Sequence, residues 1–372
     1  MELRVYGRDL MQLGLIEKIT SLIWTRRYWA YGAFKLLVPF TEVHAALLVK
    51  NHLILKRGDT EMAEIQYVYI TQDSQGEEHI EVQGRFITHW VAKRIILNRI
   101  VTVATAQAIL RRIVSENIIS PQVASRRISG IDLASIEGIS RPSIQYASEE
   151  YANALLECET VARASRLGFG IYTDIREKRH TFRVYDGADL TVDQKNNPPC
   201  IFSQEFDNVL EQEYTNSVEN LKSTAYVGGE NKEGLPRQIV AVGDSVAGLN
   251  RDEIFINATD ITQTYKDGQQ EITMTLQQYI EMLRQRGQTE LEKCAETLAF
   301  ASKVNAHSNL VYKADYDLGD RVTCVNRKWG VRVNVRITEV AEIFHKDKPA
   351  EISITFGESL PALIDTIRQL IK

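Results

Sequence analysis

Cysteine is scarce, and the four that occur, Cys158, Cys200, Cys294 and Cys324, stand far apart. With no C-x-x-C pair, neither a zinc knuckle nor a thioredoxin-like redox motif is expected. The seven histidines form no H-x-H or H-x-x-x-H pair, so no histidine metal site is expected either. Gly228-Gly229 is too short for a phosphate loop, and no G-x-x-x-x-G-K-[ST] occurs. No apolar run is long enough to span a bilayer, and MELRVYGRDL lacks the basic-then-apolar layout of a signal peptide. The scattered thiols therefore read as buried, reduced side chains of a protein made in a cytoplasm.

What is present is ordinary for a soluble globular chain of two or three domains: 372 residues, 44% apolar and 25% charged. A net charge of −5 argues against a general nucleic-acid binder. The charge is uneven, however. Residues 85–127 hold eight Lys/Arg against Glu116 alone, and residues 201–260 hold eleven acids against four bases. Blocks of opposite sign can steer one subunit onto its neighbour, and they are expected to meet across a subunit boundary.

The first hundred residues read as β. LRVY, LGLIEKI, SLIWTRRYW, GAFKLLVPF, HLILKRG, EIQYVYITQD and EEHIEVQGRF are short runs rich in β-branched and aromatic residues, with Asp73–Gly76 as a hairpin tip. A helix follows, with Thr105 as N-cap and Ile109, Leu110 and Ile113 on one face. A second is expected from about Glu149 to Leu167, capped by Ser148 and closed by a left-handed Gly168. GFGIYTDI and HTFRVYDG then make a hairpin. Strands return from Ile201 to about Ala258. A long helix starts at the capping box Thr275-Leu276-Gln277-Gln278, its apolar face running to Leu298. The stretch from Tyr316 to Phe344 is strand again, and Leu360 to Ile371 reads as an amphipathic helix. Gly58-Asp59 and Gly319-Asp320, each beside a strand-rich stretch, suggest a duplicated β unit.

The expected fold class is mainly β with α+β inserts. The first antiparallel barrel occupies 1–104 and an α+β insert 105–199. A second barrel is built from 200–262 with 303–357, interrupted by a helical insert at 263–302. An amphipathic helix at 358–372 follows.

No reactive constellation emerges. AVGDSVAGL (241–249) resembles the nucleophile block of GDS-type esterases, with Ser245 as nucleophile, but the Asp-x-x-His block that would supply its base is absent. Ser245 reads as a turn residue. The acidic residues single out no pair for glycoside hydrolysis. No catalytic, cofactor-binding or metal-binding residue is assigned, no cofactor is expected, and the chain reads as a non-enzyme.

SLIWTRRYWAYGAFKLLVP (21–39), EVQGRFITHWVAKRIIL (81–97), IFSQEFDNVLEQEYTNSVENLKSTAYVGGE (201–230) and YDLGDRVTCVNRKWGVRVNVRITEV (316–340) together resemble the tail hub proteins of long-tailed bacteriophages. The form resembled is the short one, without a C-terminal extension, and the likeness covers nearly the whole chain. It implies two tail-tube-like barrels per chain and a homotrimeric ring of pseudo-sixfold symmetry. That ring would match a sixfold tube to a threefold tip at the virion's tail tip or baseplate, after assembly in the host cytoplasm. Implied partners are the tail tube or distal tail protein, the tape measure protein and a tip or receptor-binding protein. DNA would be transiting cargo, and no membrane insertion is expected. A tail-associated cell-wall hydrolase and the hub of a contractile bacteriocin or injection system are the alternatives.

Overall fold

The computed structural model describes residues 1–149, 151–231, 234–267, 270–305 and 308–357. Period-two alternation writes the N-terminal block. Its strands are β1 (Leu3–Tyr6), β2 (Gln12–Ile16), β3 (Ser21–Arg27), β4 (Ala33–Pro39), β5 (Leu53–Lys56), β6 (Ala63–Gln72) and β7 (Glu78–Phe86). All seven fall on the runs read as strands. In β4, Phe34, Leu36 and Val38 are buried while Lys35 faces out. The six-residue helix α1 (Glu42–Leu47), capped by Thr41, lies between β4 and β5. The sheet curls so that Leu3, Val5 and Ile16 share one core with Leu22, Trp24, Phe34 and Leu36. Trp24 sits at its centre, 4.6 Å from the Phe86 ring.

The first insert carries β8 (Val101–Thr105), α2 (Ala106–Val114), β9 (Ile131–Leu133), β10 (Ser143–Ala147), α3 (Ala154–Ser165), β11 (Gly168–Asp174) and β12 (Arg179–Tyr185). Thr105 caps α2 as the sequence predicts. The start of α3 differs. Asn153, not Ser148, accepts the N–H groups of Leu155 and Leu156, and Arg166 takes the left-handed position at the other end. Ser148 accepts from Ile100 N–H instead, and Gly168 opens β11.

The chain then lays down β13 (Ile201–Ser203) and β14 (Val209–Ser217) and leaves the large sheet for a second insert. This consists of β15 (Thr224–Gly228), β16 (Ile239–Gly243), β17 (Glu253–Asn257), β18 (Thr264–Asp267), β19 (Gln270–Thr273) and α4 (Leu276–Lys293). The capping box at Thr275 and Gln278 is formed. Two boundaries move relative to the sequence reading. Leu298 lies in a strand, not on the helix. The strands at 224–257, assigned to the second barrel, pair with one another as a separate sheet, β16-β15-β17, and α4 covers one face of it. Their alternation resembles that of barrel strands; the nearby helix decides where they fold.

The last strands are β20 (Thr297–Val304), β21 (Arg321–Asn326), β22 (Val331–His345) and β23 (Lys348–Gly357). The two β blocks do not stand apart. β22 pairs with β3, from Glu339↔Arg27 to His345↔Ser21, and the sheet runs on as β14-β20-β23-β22-β3-β4-β7-β6-β5-β1-β2. The sequence predicted two barrels; along this path hydrogen bonding links the strands of the two blocks into one continuous antiparallel run, and β13 pairs in parallel with β21 beside it. The residues 358–372, read as an amphipathic helix, lie outside the described residues.

Candidate assembly site

The two halves of the long sheet repeat one connection pattern. In the N-terminal block β3, β4, β6 and β7 lie in spatial order β3-β4-β7-β6. In the C-terminal block β14, β20, β22 and β23 lie in the order β14-β20-β23-β22. Each block therefore runs first, second, fourth, third. The second insert fills the gap between β14 and β20, where the first block has a short turn at 28–32. The Gly-Asp echo is not the mark of this repeat. Gly58 and Gly319 both take positive φ, but Gly58-Asp59 follows β5 whereas Gly319-Asp320 precedes β21.

These eight strands share a polar face. Cross-strand partners place Glu211 and Glu213, then Lys303, Ser353, Ala341, Thr25 and Ala33 on it, and further along Ile343, Ile23, Lys35, Gln83 and Tyr67. Its charges are mostly paired: Lys303 with Glu351 at 2.8 Å, Arg27 with Glu339 at 2.6 Å, Lys35 with Glu81 at 2.9 Å. Exposed pairs of this kind contribute only about 0–1 kcal/mol each. Their consequence is a wall with little free positive charge.

The opposite face carries a buried ionic seam where the blocks join. Arg26, on β3, pairs with buried Glu61 and also reaches Asp317 at 2.8 Å and the Tyr312 hydroxyl at 2.7 Å. Lys56 pairs with Glu342 of β22 and with Asp59 at 3.5 Å. Asp59 also takes Lys313 at 3.2 Å and the Trp24 indole N–H at 3.1 Å. Burial would raise the Asp59 carboxyl, but the Lys313, Arg26 and Lys56 charges hold it below the usual range. Tyr28 closes the other end of the seam. Its hydroxyl, pushed up to about 12 by burial, donates to the Tyr185 carbonyl at 3.3 Å and accepts from Arg336 at 3.2 Å. Its ring lies where a Cβ on Gly319 would be. One tyrosine thus fastens the first block to the first insert and to the second block.

A second network holds the start of β6. Glu64 accepts from Arg8 at 3.0 Å, the Trp90 indole at 3.1 Å and Lys93 at 3.3 Å, and faces His89 Nε2 at 3.2 Å. Burial alone would raise this carboxyl; the His89 and Arg8 hydrogen bonds, the Lys93 charge and the Trp90 indole hold it at about 2. Its folded pKa is depressed, so its stabilisation is present above about pH 4.5 and lost as pH falls toward 2. Glu64→Gln is expected to cost about 3 kcal/mol or less at pH 7. It should also flatten the acid limb of stability, measured by urea unfolding at pH 7 and pH 3.

The eight-strand arc is open along β14 and, beyond Ile65, along β6. β14 pairs with β20 and, among the described residues, with no other strand. β6 meets β5 only at Ala63 and Glu64, leaving 66–72 unpaired on that side. Tyr67 and Tyr69 stack beside this edge and are 47% and 49% exposed. Long open edges with exposed apolar side chains are templates for pairing with another chain. Sequence reasoning missed this site, because which strand edge stays open depends on pairing partners far away in the chain.

The basic and acidic blocks, expected to meet across a subunit boundary, touch within the chain at Arg99 and Asp260. Arg99 bonds the Asp260 carbonyl and lies 4.0 Å from its carboxylate. Much of the rest of the basic block is used locally: Arg112 pairs with Glu116, Lys93 with Glu64, and Arg94 donates to the Arg126 carbonyl. Ser245 is exposed in the irregular segment after β16. Cys158, Cys200 and Cys324 are buried thiols whose pKa burial raises, Cys200 to about 12. Asp73, Glu77 and His79 gather at the β6–β7 hairpin tip. Asp73 there already accepts the N–H groups of Gln75 and Glu77, as an ordinary turn does.

The architecture is that of mainly β phage tail proteins. The 43 kDa tail protein of prophage MuSo2 from Shewanella oneidensis superposes with a TM-score of 0.59 at 14% identity, covering 96% of this chain and 98% of that one. The tail protein from Neisseria meningitidis MC58 gives 0.57 at 10% identity, with 96% and 97% covered. Prophage tail protein gp18 from Listeria monocytogenes EGD-e gives 0.55 at 12%, with 100% and 98% covered. At these identities the likeness is one of fold. The chain belongs to the Siphovirus ReqiPepy6 Gp37-like protein family, whose model matches residues 2–358. None of the curated proteins compared matches the sequence.

Proposed function

We propose that the chain is a structural hub of a long-tailed phage tail. Three copies close into a ring that ends the tail tube, adapts its sixfold symmetry to a threefold tip and lines the channel for DNA. The observation that carries this reading is the repeated four-strand block. Within the chain, the third strand of one block (β22) pairs with the first strand of the next (β3). The open edges, β14 and the outer part of β6 at 66–72, are the same two kinds of strand. Eight alternating antiparallel strands put β6 and β14 in opposite directions, so head-to-tail contact continues the alternation without a break. A heterologous contact that repeats an internal one closes a ring of quasi-equivalent blocks.

Three eight-strand arcs at about 4.8 Å per strand give a backbone diameter of roughly 37 Å before tilt. The polar face, with its charges mostly paired, suits a wall past which a polyanion must slide without sticking. The inserts then sit outside, where distal tail, tape measure and tip components would attach. Sedimentation equilibrium over a wide concentration range tests the ring: a mass of three chains supports it, and a monomer at every concentration contradicts it.

A further inference from the structure

We infer that a cationic cleft at the edge of the first insert docks an acidic peptide segment of another protein, one that sets carboxylates beside aliphatic side chains. The cleft lies where the 3-10 helices at Ile87–Lys93 and Ala124–Arg126 come together. It is lined by Ala92, Lys93, Arg94, Ile95, Ser125 and Arg126 and holds about 380 Å³. Two arginines staple its walls. Arg94 donates to the Arg126 carbonyl at 2.7 Å and to the Lys93 carbonyl at 2.8 Å. Arg126 donates to the Ile95 carbonyl and to Asn117 Oδ1 at 3.4 Å. These bonds fix the guanidiniums without neutralising them. Among the described residues no carboxylate pairs with Arg94, Arg126 or Arg127. Lys93 has Glu64 at 3.3 Å, but that carboxylate is 3% exposed and shared with Arg8.

The charge names the occupant. On the polar face of the long sheet, lysines meet glutamates, as at Lys303–Glu351 and Lys35–Glu81; here cations gather without a counter-charge. A guanidinium is a planar fork that matches a carboxylate with two parallel hydrogen bonds, and fixing it beforehand lowers the entropy lost on binding. The rim is aliphatic: Ile95, Leu97 and Val123 are 43%, 40% and 47% exposed. Asn98 donates to Gln122 Oε1 at 3.0 Å, which holds the two rim segments side by side. The occupant therefore carries negative charge and apolar side chains close together. A single-stranded nucleic acid would need aromatic platforms, and Trp90 is buried, with Lys93 over its ring. The cleft is small among ligand sites of roughly 300–1,000 Å³ and suits a few side chains of a peptide. This inference does not depend on the ring.

The test is fluorescence anisotropy on the full chain with a labelled short peptide of alternating glutamate and leucine. Replacing its glutamates by glutamine is expected to weaken binding at least 10-fold, and added salt should weaken the glutamate peptide selectively. This comparison needs no variant of the protein. Arg126→Gln and Ile95→Glu should each cost at least 10-fold in affinity for the glutamate peptide. Ile95→Glu keeps both arginine staples and sits at an exposed position, and unchanged amide exchange over 113–128 separates a blocked cleft from an unfolded one. No binding by the parent, equal binding of the two peptides, or parental affinity in either variant would overturn the inference. Displacement of the peptide by an oligonucleotide of thymidines would assign the cleft to nucleic acid and overturn it as well.

Discussion

Replacing both Tyr67 and Tyr69 by glutamate is expected to leave the protein folded and monomeric. Both side chains stand beside the open β6 edge and are half exposed, so losing them removes little core packing. On the same polar face, the β14 edge carries Glu211 and Glu213, both exposed. Pairing β6 of one copy with β14 of the next would then set like charges against each other. Like charges directly opposite across strands are destabilising, and here the effect would recur at every junction. The sign of the charge is the control. Tyr67→Lys with Tyr69→Lys should still assemble, because lysine meets glutamate. Adding Glu211→Lys and Glu213→Lys to the double glutamate variant should restore the ring. Light scattering of the four proteins checks this; assembly of the double glutamate variant at the parent's concentration would refute pairing at this edge.

Arg26→Met is expected to cost roughly 3–5 kcal/mol, the usual range for breaking a buried ion pair by removing one partner. Glu61 is 5% exposed and would be left without its guanidinium. Burial already pushes the Glu61 carboxyl up with Arg26 in place; without Arg26 it would rise further and take up a proton. The deficit should therefore be largest at high pH and shrink as pH falls. Arg26→Met combined with Glu61→Leu should recover most of the loss, since well-packed apolar groups can replace a buried pair. Urea midpoints at pH 8 and pH 5 measure both effects. A pH-independent deficit would mean that Arg26 acts by packing alone.

The strands of the N-terminal block were legible because alternation leaves a period-two record, as in Phe34, Leu36 and Val38. Capping chemistry was legible where it was local, at Thr105 and Thr275. It misled at Ser148, whose hydroxyl satisfies a backbone N–H across a strand pair instead. Helix α1 is too short to declare a period. The seam left no local trace, since Arg26 and Asp317 are 291 positions apart and each alone is an ordinary charged residue. The same holds for the insert boundary. Val227 and Val240 look like barrel residues, and only the placement of α4 beside them fixes their sheet. The Gly-Asp pairs pointed toward a repeat but marked the wrong positions; the repeat lies in the order of strands, which a linear reading does not display.

An electron cryomicroscopy map of the purified assembly tests the central claim most directly. It should show a threefold ring in which β6 of each copy continues into β14 of the next, repeating the β22–β3 junction around a channel lined by Lys35, Glu81, Lys303 and Glu351. A twofold dimer, or a ring in which β6 and β14 remain unpaired, would contradict it.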